Sequence, residues 1–576
     1  MTTTPTLAPD HRRPPRPAAT RARRRPQART LITTGTVAVV GYLVLVPLAY
    51  LLWGTFAGDQ GFTAAGFRRA YLDDRHLPRL ITDTALYVVG STLVSVTAGT
   101  LMAYLYVRTD APFKRLFFLS SIIPLALPSI AYVPAWIFLA SPDIGLLNRM
   151  TEAVAGVAPF NVYGIWGMIF VQGVHATPLV FLLMAAAFRA MDASLEESAQ
   201  TCGLGRLVIL RRITLPLARP ALVAATLIIA VQALESFEVP AMLGLHDGIY
   251  VFISKIYFLM QQYPIDYQAT GALSLGLLVI ATAGVVLSRR ASRGAPQTIT
   301  GKAYRPRRIR LGRMRGVVGA LTLAYFTVCV FAPVLILIYA SLLKTYRTPS
   351  LSTAGFTFDN YTAALTNATT LTAVRNSTLL GVGAAVVVMG LSAFASWLVV
   401  RSRSRFGAVV DALAFTPLVI PGLVLGLGLA FVYLRSPLPI YGTLWILLIS
   451  YVTRFLPYGM RYANTAMHQV SAELEDSATV FGASWWTTMR RILLPLARPG
   501  LIAGGLYIVV VSFRELSSSI LLYSPGTEVV GIRVFEQYQE GSLTAVATLG
   551  VLLCAFLGVL VTALFTLAGR LGVDLD

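Results

Sequence analysis

Only three of the 576 residues are cysteine, Cys202, Cys329 and Cys554, and they lie too far apart to make a metal-ligand cluster. The five histidines, His11, His76, His175, His246 and His468, form no ligand-spaced pair, so no metal site is expected within the chain. The G-x-x-x-x-G-K-[ST] phosphate loop is missing too. Its nearest approach, Gly301-Lys302, has Ala303 where Ser or Thr should follow and Pro296 where the first Gly should be. With no Ser-His-Asp order, paired-carboxylate site or nucleotide fingerprint, the chain reads as a non-enzyme that binds no cofactor itself. Charge is scarce as well: 13% of residues are charged, where a soluble domain carries about 25%, and 56% are hydrophobic. A disordered or ordinary soluble protein is excluded.

What is present is apolar runs of roughly 20 residues, each long enough to cross about 30 Å of hydrocarbon as a helix. Twelve such runs can be read. They leave chain for connecting loops but not for a folded ATPase or a large extracytoplasmic domain, which must come from other chains. The formal charge of +21 has a topological reading, because Lys and Arg collect in cytoplasmic loops. Residues 1–30 hold eight arginines against one acid, Asp10, and Arg289 to Arg315 holds ten basic residues and no acid. Both are expected to be cytoplasmic, the first as a disordered flank without the interleaved aromatics of a nucleic-acid-binding arm. No nucleic-acid partner is expected. The run from Leu31 to about Phe56 is too long for a typical signal-peptide core.

An internal repeat organises the rest. At an offset of 293, Gly90 falls on Gly383, Leu105 on Leu398, Arg108 on Arg401, Pro124 on Pro417 and Pro128 on Pro421. Further on the offset is 279, pairing Pro178 with Pro457, Gly203 with Gly482, Ile213 with Ile492, Pro216 with Pro495 and Pro220 with Pro499. The change of fourteen arises where the connection from about Ser141 to Tyr163 is longer than its counterpart from about Arg435 to Tyr441. Six spans return the chain to its starting side, so the halves have one orientation. The expected organisation is a cytoplasmic arm (1–30), a six-helix half (31–288), a basic cytoplasmic linker (289–316) and a second six-helix half (317–576). Two parallel six-helix repeats make a pseudo-two-fold all-α membrane protein with a pathway at the interface and both termini cytoplasmic. Pro124, Pro128, Pro417 and Pro421 should kink their helices, either to shape packing or to line or gate that pathway.

Between the fourth and fifth spans of each half lies a polar loop of about thirty residues. The first reads Glu197-Ser198-Ala199, Gly203, Ile213, Leu215-Pro216; the second reads Asp476-Ser477-Ala478, Gly482, Ile492, Leu494-Pro495, at identical spacing. Acids near the start (Glu196 and Glu197, or Glu473, Glu475 and Asp476) suit a helix N-terminus. The glycine should end that helix, and the proline should mark the turn back into the membrane. This pattern resembles the EAA loop, E-A-A-x3-G-x9-I-x-L-P, of permease subunits of ATP-binding-cassette importers, with Ser198, Ser477 and Asp476 as its departures. The resemblance implies a type I importer-like permease in a bacterial inner membrane, whose loops dock a cytoplasmic ATPase that carries ATP and Mg. Two nearly equivalent loops imply a homodimeric ATPase, and the class implies an extracytoplasmic binding protein.

Along its length after the first thirty residues the chain resembles the ferric-iron and thiamine permease group, locally at Glu235-Ser236-Phe237-Glu238-Val239-Pro240 and at Arg514-Glu515-Leu516-Ser517. Ferric iron is the cargo this implies, with thiamine, polyamines or an aminophosphonate as alternatives. Glu235, Glu238 and Glu515 fall near the outer ends of the fifth and eleventh spans, where charge is costly unless paired or facing water. Carboxylates there suit a cation; equally, Glu515 could pair with Arg514 or another base. The main rival is a major-facilitator-type transporter, also twelve spans in two halves. Its G-x-x-x-D-[RK] loop should lie where this chain has Thr109-Asp110-Ala111-Pro112, without glycine. A purely structural membrane scaffold is the other, and it predicts no dependence on an ATPase.

Overall fold

The computed structural model describes residues 28–58, 61–192, 194–292, 309–346, 355–402 and 405–570. Most of the basic arm expected over residues 1–30, and residues 293–308 of the basic linker, lie outside them. Apart from one two-residue hairpin, Ala57–Gly58 with Gly61–Phe62, the described chain is helical with connecting turns.

Among the described residues nine helices are long and apolar enough to cross a membrane. The tenth span, Leu444–Gln469, has the length but carries Arg454, Arg461 and His468. The third and ninth spans are each two short helices. Here the expectation of kinks is corrected. Lys114–Pro124 meets Ser129–Ala140 at 110°, and Arg405–Leu418 meets Gly422–Tyr433 at 109°. Pro128 and Pro421 stand outside the second helix as its cap. Proline disfavours helical backbone in the residue before it, and neither Pro124 and Pro128 nor Pro417 and Pro421 can donate to a carbonyl one turn back, so the turn between each pair closes only locally, Leu127 N–H on the Ile123 carbonyl at 3.0 Å and Ile420 N–H on the Pro417 carbonyl at 3.4 Å. The helix therefore breaks rather than bends.

The repeat seen in sequence is also a repeat of elements. At the offset of 279, Ile165–Ala190 matches Leu444–Gln469 end for end, and Leu210–Thr214 matches Met489–Leu493. At 293, Ser129–Ala140 matches Gly422–Tyr433. Those two half-spans form the centre of the molecule: all of Gly422–Tyr433, and all of Ser129–Ala140 except Ser129, is buried. Burial this complete needs small residues where backbones meet. A side chain on Gly428 would stand 2.8 Å from the Pro47 carbonyl oxygen of the first span, and one on Gly426 equally close to that of Ser518.

The first span of each half packs on the other half. Ala28–Phe56 lies against Gly422–Tyr433 and Arg405–Phe415, and Ala332–Ser341 of the seventh span lies against Ser129–Ala140. Hydroxyls tie these crossings: Tyr42 to Tyr433 at 2.9 Å, and Tyr132 to the Cys329 carbonyl at 3.2 Å. Where the linker re-enters the described chain, Ile309 runs beside Thr109, its N–H donating to the Arg108 carbonyl at 2.9 Å. The linker's end thus sits at the same face as the end of the second span, Leu77–Arg108.

Candidate docking loops and interface cavity

Each loop folds as a short helix, a left-handed glycine and a second helix. The first helix is Ser194–Thr201, where the Ser194 N–H donates to Asp192 Oδ1 at 2.9 Å. That backbone bond, with the Ser194 side chain, holds the exposed Asp192 carboxyl below the usual carboxylate range. In the second loop Ser471 caps Ala472–Val480 through the Glu473 N–H. Both helices end alike: Gly203 has φ +79° and Gly482 φ +78°. The next N–H reaches back five residues, Leu204 to the Ala199 carbonyl at 3.1 Å and Ala483 to Ala478 at 2.9 Å. This pattern satisfies helix-end carbonyls and demands a left-handed residue. No atom lies within 4 Å of where a Cβ would stand on either glycine, so backbone conformation, not space, selects glycine.

The motif positions divide by face. Ala199 and Ala478 are buried; Ser198, Asp476 and Ser477 are exposed and Glu197 is half-buried. The exposed side also carries large apolar groups: Leu195 and Leu204 in the first loop, and Leu474, Val480 and Phe481 in the second, Phe481 being 89% exposed. Ile213 and Ile492 are half-buried in the second segment. The prolines do not mark a turn back, contrary to the sequence reading. The chain from Arg206 to Glu235 is one helical run whose turn Leu210–Thr214 is widened to π spacing, and Met489–Leu493 is the same before Pro495. The wide turn lets the Leu215 N–H pair with the Leu210 carbonyl while relieving the clash of the proline ring with the preceding turn.

Sequence reasoning missed what fastens the loops. Arg108, at the end of the second span, donates Nη2 to the Met191 carbonyl at 3.1 Å and places Nη1 3.9 Å from Glu196 Oε2. Both side chains are buried, and Thr214 Oγ1 donates to Glu196 Oε1 at 2.8 Å. The second half repeats the device with other partners. Arg401 donates to the carbonyls of Met467 and Val470, and Trp397 Nε1 donates to Glu475 Oε1 at 3.2 Å. At the repeat offsets Arg108 corresponds to Arg401 and Glu196 to Glu475.

Between the halves lies a cavity of about 240 Å³. It brings together Glu235, Glu238, Arg514 and Glu515 from the sequence candidates, with Pro417 at its wall. Pro124, Pro128 and Pro421 do not line it. Glu515 does find a base, but it is Arg454: Nε to Oε2 is 2.7 Å, and Oε1 accepts from the Ser518 N–H at 2.9 Å. The repeat offset foretells this cavity, because its lining comes in corresponding pairs: His175 with Arg454, Gln232 with Val511, Glu235 with Arg514, Ser236 with Glu515 and Glu238 with Ser517. Arg454 and His175 stand ten residues into their helices, roughly 15 Å along at 1.5 Å per residue.

Beside the cavity, short helical segments of the two halves meet. Pro240–Asp247 turns 75° into Phe252–Gln261, and the second half presents Val530–Gln539. Phe237, Tyr257 and Phe535 form a triangle of rings with centroids 5.1 to 6.0 Å apart. Tyr538 Oη donates to the Met242 carbonyl at 2.6 Å.

Comparison with known proteins agrees with this architecture. Two stretches, residues 95–293 and 387–571, each match the family described as the binding-protein-dependent transport system inner membrane component. The chain is 24% identical to the Fe(3+)-transport system permease protein FbpB 2 of Haemophilus influenzae, over 84% of this chain and 88% of that protein. It is 25% identical to the putative ferric transport system permease protein FbpB 1 of the same organism, over 86% and 78%. A putative 2-aminoethylphosphonate transport system permease protein, PhnV, of Salmonella paratyphi A is 25% identical over 45% of this chain and 96% of its own length. With two matches that together cover most of its length, the chain belongs to the binding-protein-dependent transport system inner membrane component family and carries that unit twice, fused in one polypeptide.

Proposed function

We propose that this chain is the complete membrane permease of an ATP-driven importer for ferric iron, acting with a cytoplasmic ATPase and an extracytoplasmic binding protein. The observation that carries the reading is the pair of matching loops, each with a helix closed by a left-handed glycine and exposed apolar residues. Exposed Leu195, Leu204, Leu474, Val480 and Phe481 on otherwise polar loops suit a protein partner, and two equivalent loops suit a two-fold ATPase. ATP and Mg belong to that partner, and this chain supplies no catalytic group. The loops, both termini and the linker are cytoplasmic. Ferric iron is favoured because the relatives named for it share the fused, two-unit length. A 2-aminoethylphosphonate importer is the second reading, favoured by the PhnV match to one half.

The test is uptake of radiolabelled ferric iron in iron-limited cells with and without this chain, with labelled 2-aminoethylphosphonate and thiamine in parallel. Loss of iron uptake on deletion, restored by the wild type but not by Gly203→Val/Gly482→Val, supports both cargo and docking. Unchanged iron uptake, with no compensating transporter, rejects iron. Unchanged ATPase co-purification in the double variant rejects the docking loops.

A further inference from the structure

The interface cavity has two walls of opposite character. The first half contributes Glu235 and Glu238; at the corresponding positions the second half has Arg514 and Ser517, and Arg454 stands opposite His175. Glu515, the acid of the second half, is already engaged by Arg454 and the Ser518 N–H. Glu235 Oε1 is buried and has no hydrogen-bond partner among the described residues. A buried carboxylate oxygen without a donor is costly, and one in a cavity is completed by a ligand that brings positive charge. The other wall offers guanidinium groups, which suit planar oxyanions.

We propose that this cavity binds a small amphoteric ligand, its positive part toward Glu235 and Glu238 and its oxyanion toward Arg514 and Arg454. The proposal deepens the reading of the chain as an importer permease and rests on it. A bare trivalent cation does not fit: among the described residues no group of three His, Cys, Asp or Glu side chains is placed to hold a metal, and two guanidiniums share the space. Ferric iron therefore occupies the cavity together with an oxyanion that offsets its charge. A zwitterion joining an ammonium to a phosphonate meets the same two walls. The cavity, at about 240 Å³, is below the roughly 300–1,000 Å³ of drug-sized sites, so the ligand is small.

Two measurements test this. The first is cellular uptake of labelled ferric citrate and of labelled 2-aminoethylphosphonate by the wild type, Glu235→Gln and Arg514→Gln, with the conservative Glu235→Asp and Arg514→Lys alongside and the permease–ATPase complex quantified by pull-down. Both charge-removing variants are expected to lower uptake of the transported probe at least tenfold at unchanged complex, while the conservative pair stays within about threefold of wild type. Arg514→Gln that transports as well as wild type or better, while Glu235→Gln fails, identifies a cation-only pathway and overturns the proposal with the iron reading intact. Transport of 2-aminoethylphosphonate instead of iron, with the same variant pattern, leaves the proposal standing and removes iron. The second measurement does not depend on the variants assembling. It is the melting temperature of the purified wild-type complex with 2-aminoethylphosphonate, ethanolamine or ethylphosphonate, and with ferric citrate or citrate alone. A rise with a probe carrying both charges, absent with its single-charge counterparts, supports the site; equal rises, or none with either amphoteric probe, overturn it.

Discussion

Removing the Glu196 charge tests whether the buried Arg108–Glu196 contact is what fastens the first docking loop to the second span. In Glu196→Gln the guanidinium of Arg108 stays buried with the Met191 carbonyl as its hydrogen-bond acceptor, since Nε and Nη1 have no other partner among the described residues. Breaking a buried ion pair by removing one partner costs about 3–5 kcal/mol. The 3.9 Å separation makes this a loose pair, so the lower end, about 3 kcal/mol, is expected. Replacing both residues by apolar ones, Arg108→Met/Glu196→Met, removes the desolvated charges together and should cost about 1 kcal/mol or less. A double-mutant cycle should then show a coupling of about 2 kcal/mol or more. In the second half Arg401 rests on two carbonyls and Glu475 accepts from the Trp397 indole. Glu475→Gln, which forfeits charge on one such bond, should cost only about 1 kcal/mol. The assay is thermal unfolding of the permease–ATPase complex, read together with ATP hydrolysis stimulated by the loaded binding protein. Strictly additive single variants, or a Glu475→Gln variant as damaged as Glu196→Gln, would refute the reasoning.

Other consequences follow from the same structure. Gly203→Val and Gly482→Val each force a β-branched residue into the left-handed region at about 1–2 kcal/mol or more, so the double variant should lose ATPase co-purification while the single variants keep part of it; full retention in the double variant counts against the loop geometry. Phe535→Ala opens the ring triangle with Phe237 and Tyr257, and a Ser236→Cys reporter in a background without Cys202, Cys329 and Cys554 should then react several-fold faster with an impermeant thiol reagent from outside; an unchanged rate denies that these rings seal the cavity. Arg69 donates Nε and Nη2 to the two Asp266 oxygens at 2.7 and 2.9 Å. Burial, the largest single influence, raises the Asp266 carboxyl, but the Arg69 bonds and charge together with the backbone N–H groups of Ala269 and Gln268 outweigh it and hold its pKa below the usual value. Its contribution is therefore present above the unfolded value of about 3.9 and lost as pH falls through the lower folded value. The pair is partly exposed, so Asp266→Asn should cost about 0.5 kcal/mol at neutral pH, and the difference from wild type in melting temperature should close in strong acid; a gap that persists there excludes the ionised pair as its source.

The parts legible in the sequence are those held by local rules. Gly203 and Gly482 were readable because a left-handed helix end needs glycine, and the repeated spacing around them marked the loops. The end-for-end match of Ile165–Ala190 with Leu444–Gln469 likewise follows from the offset. Arg108 and Arg401 were not legible as fasteners, because their partners are brought near only by packing of the second span on the loop, some eighty residues away in the first half. Arg454 is no motif residue and was not among the candidates, although the 279 offset sets it on His175 and sets Glu235 on Arg514. The crossing of the first and seventh spans onto opposite halves has no local signature at all. Proline positions were readable and their consequences were not: Pro128 and Pro421 sit at a break of about 110°, whereas Pro216 and Pro495 sit in unbroken helices behind a widened turn.

Where the halves agree and where they diverge follows from what each surface must meet. The two loops keep the same glycine conformation, the same π turn and the same buried alanine in both copies, which fits the two-fold ATPase proposed for them. At the cavity, corresponding positions oppose Glu235 to Arg514, Glu238 to Ser517 and His175 to Arg454. A cargo without two-fold symmetry cannot present the same chemistry to both walls, so two identical linings would leave one wall mismatched. A permease assembled from two copies of one short chain is held to identical linings, whereas fusion lets each half change alone. The first spans then keep the diverged halves in register, since each is packed into the other half. On this argument, restoring symmetry at the cavity by Glu235→Arg should abolish transport while leaving ATPase association intact, because it repeats the second half's charge on the first and leaves the docking loops unchanged. Uptake by that variant at more than about a tenth of the wild-type rate would mean that the divergence of the walls is incidental to cargo.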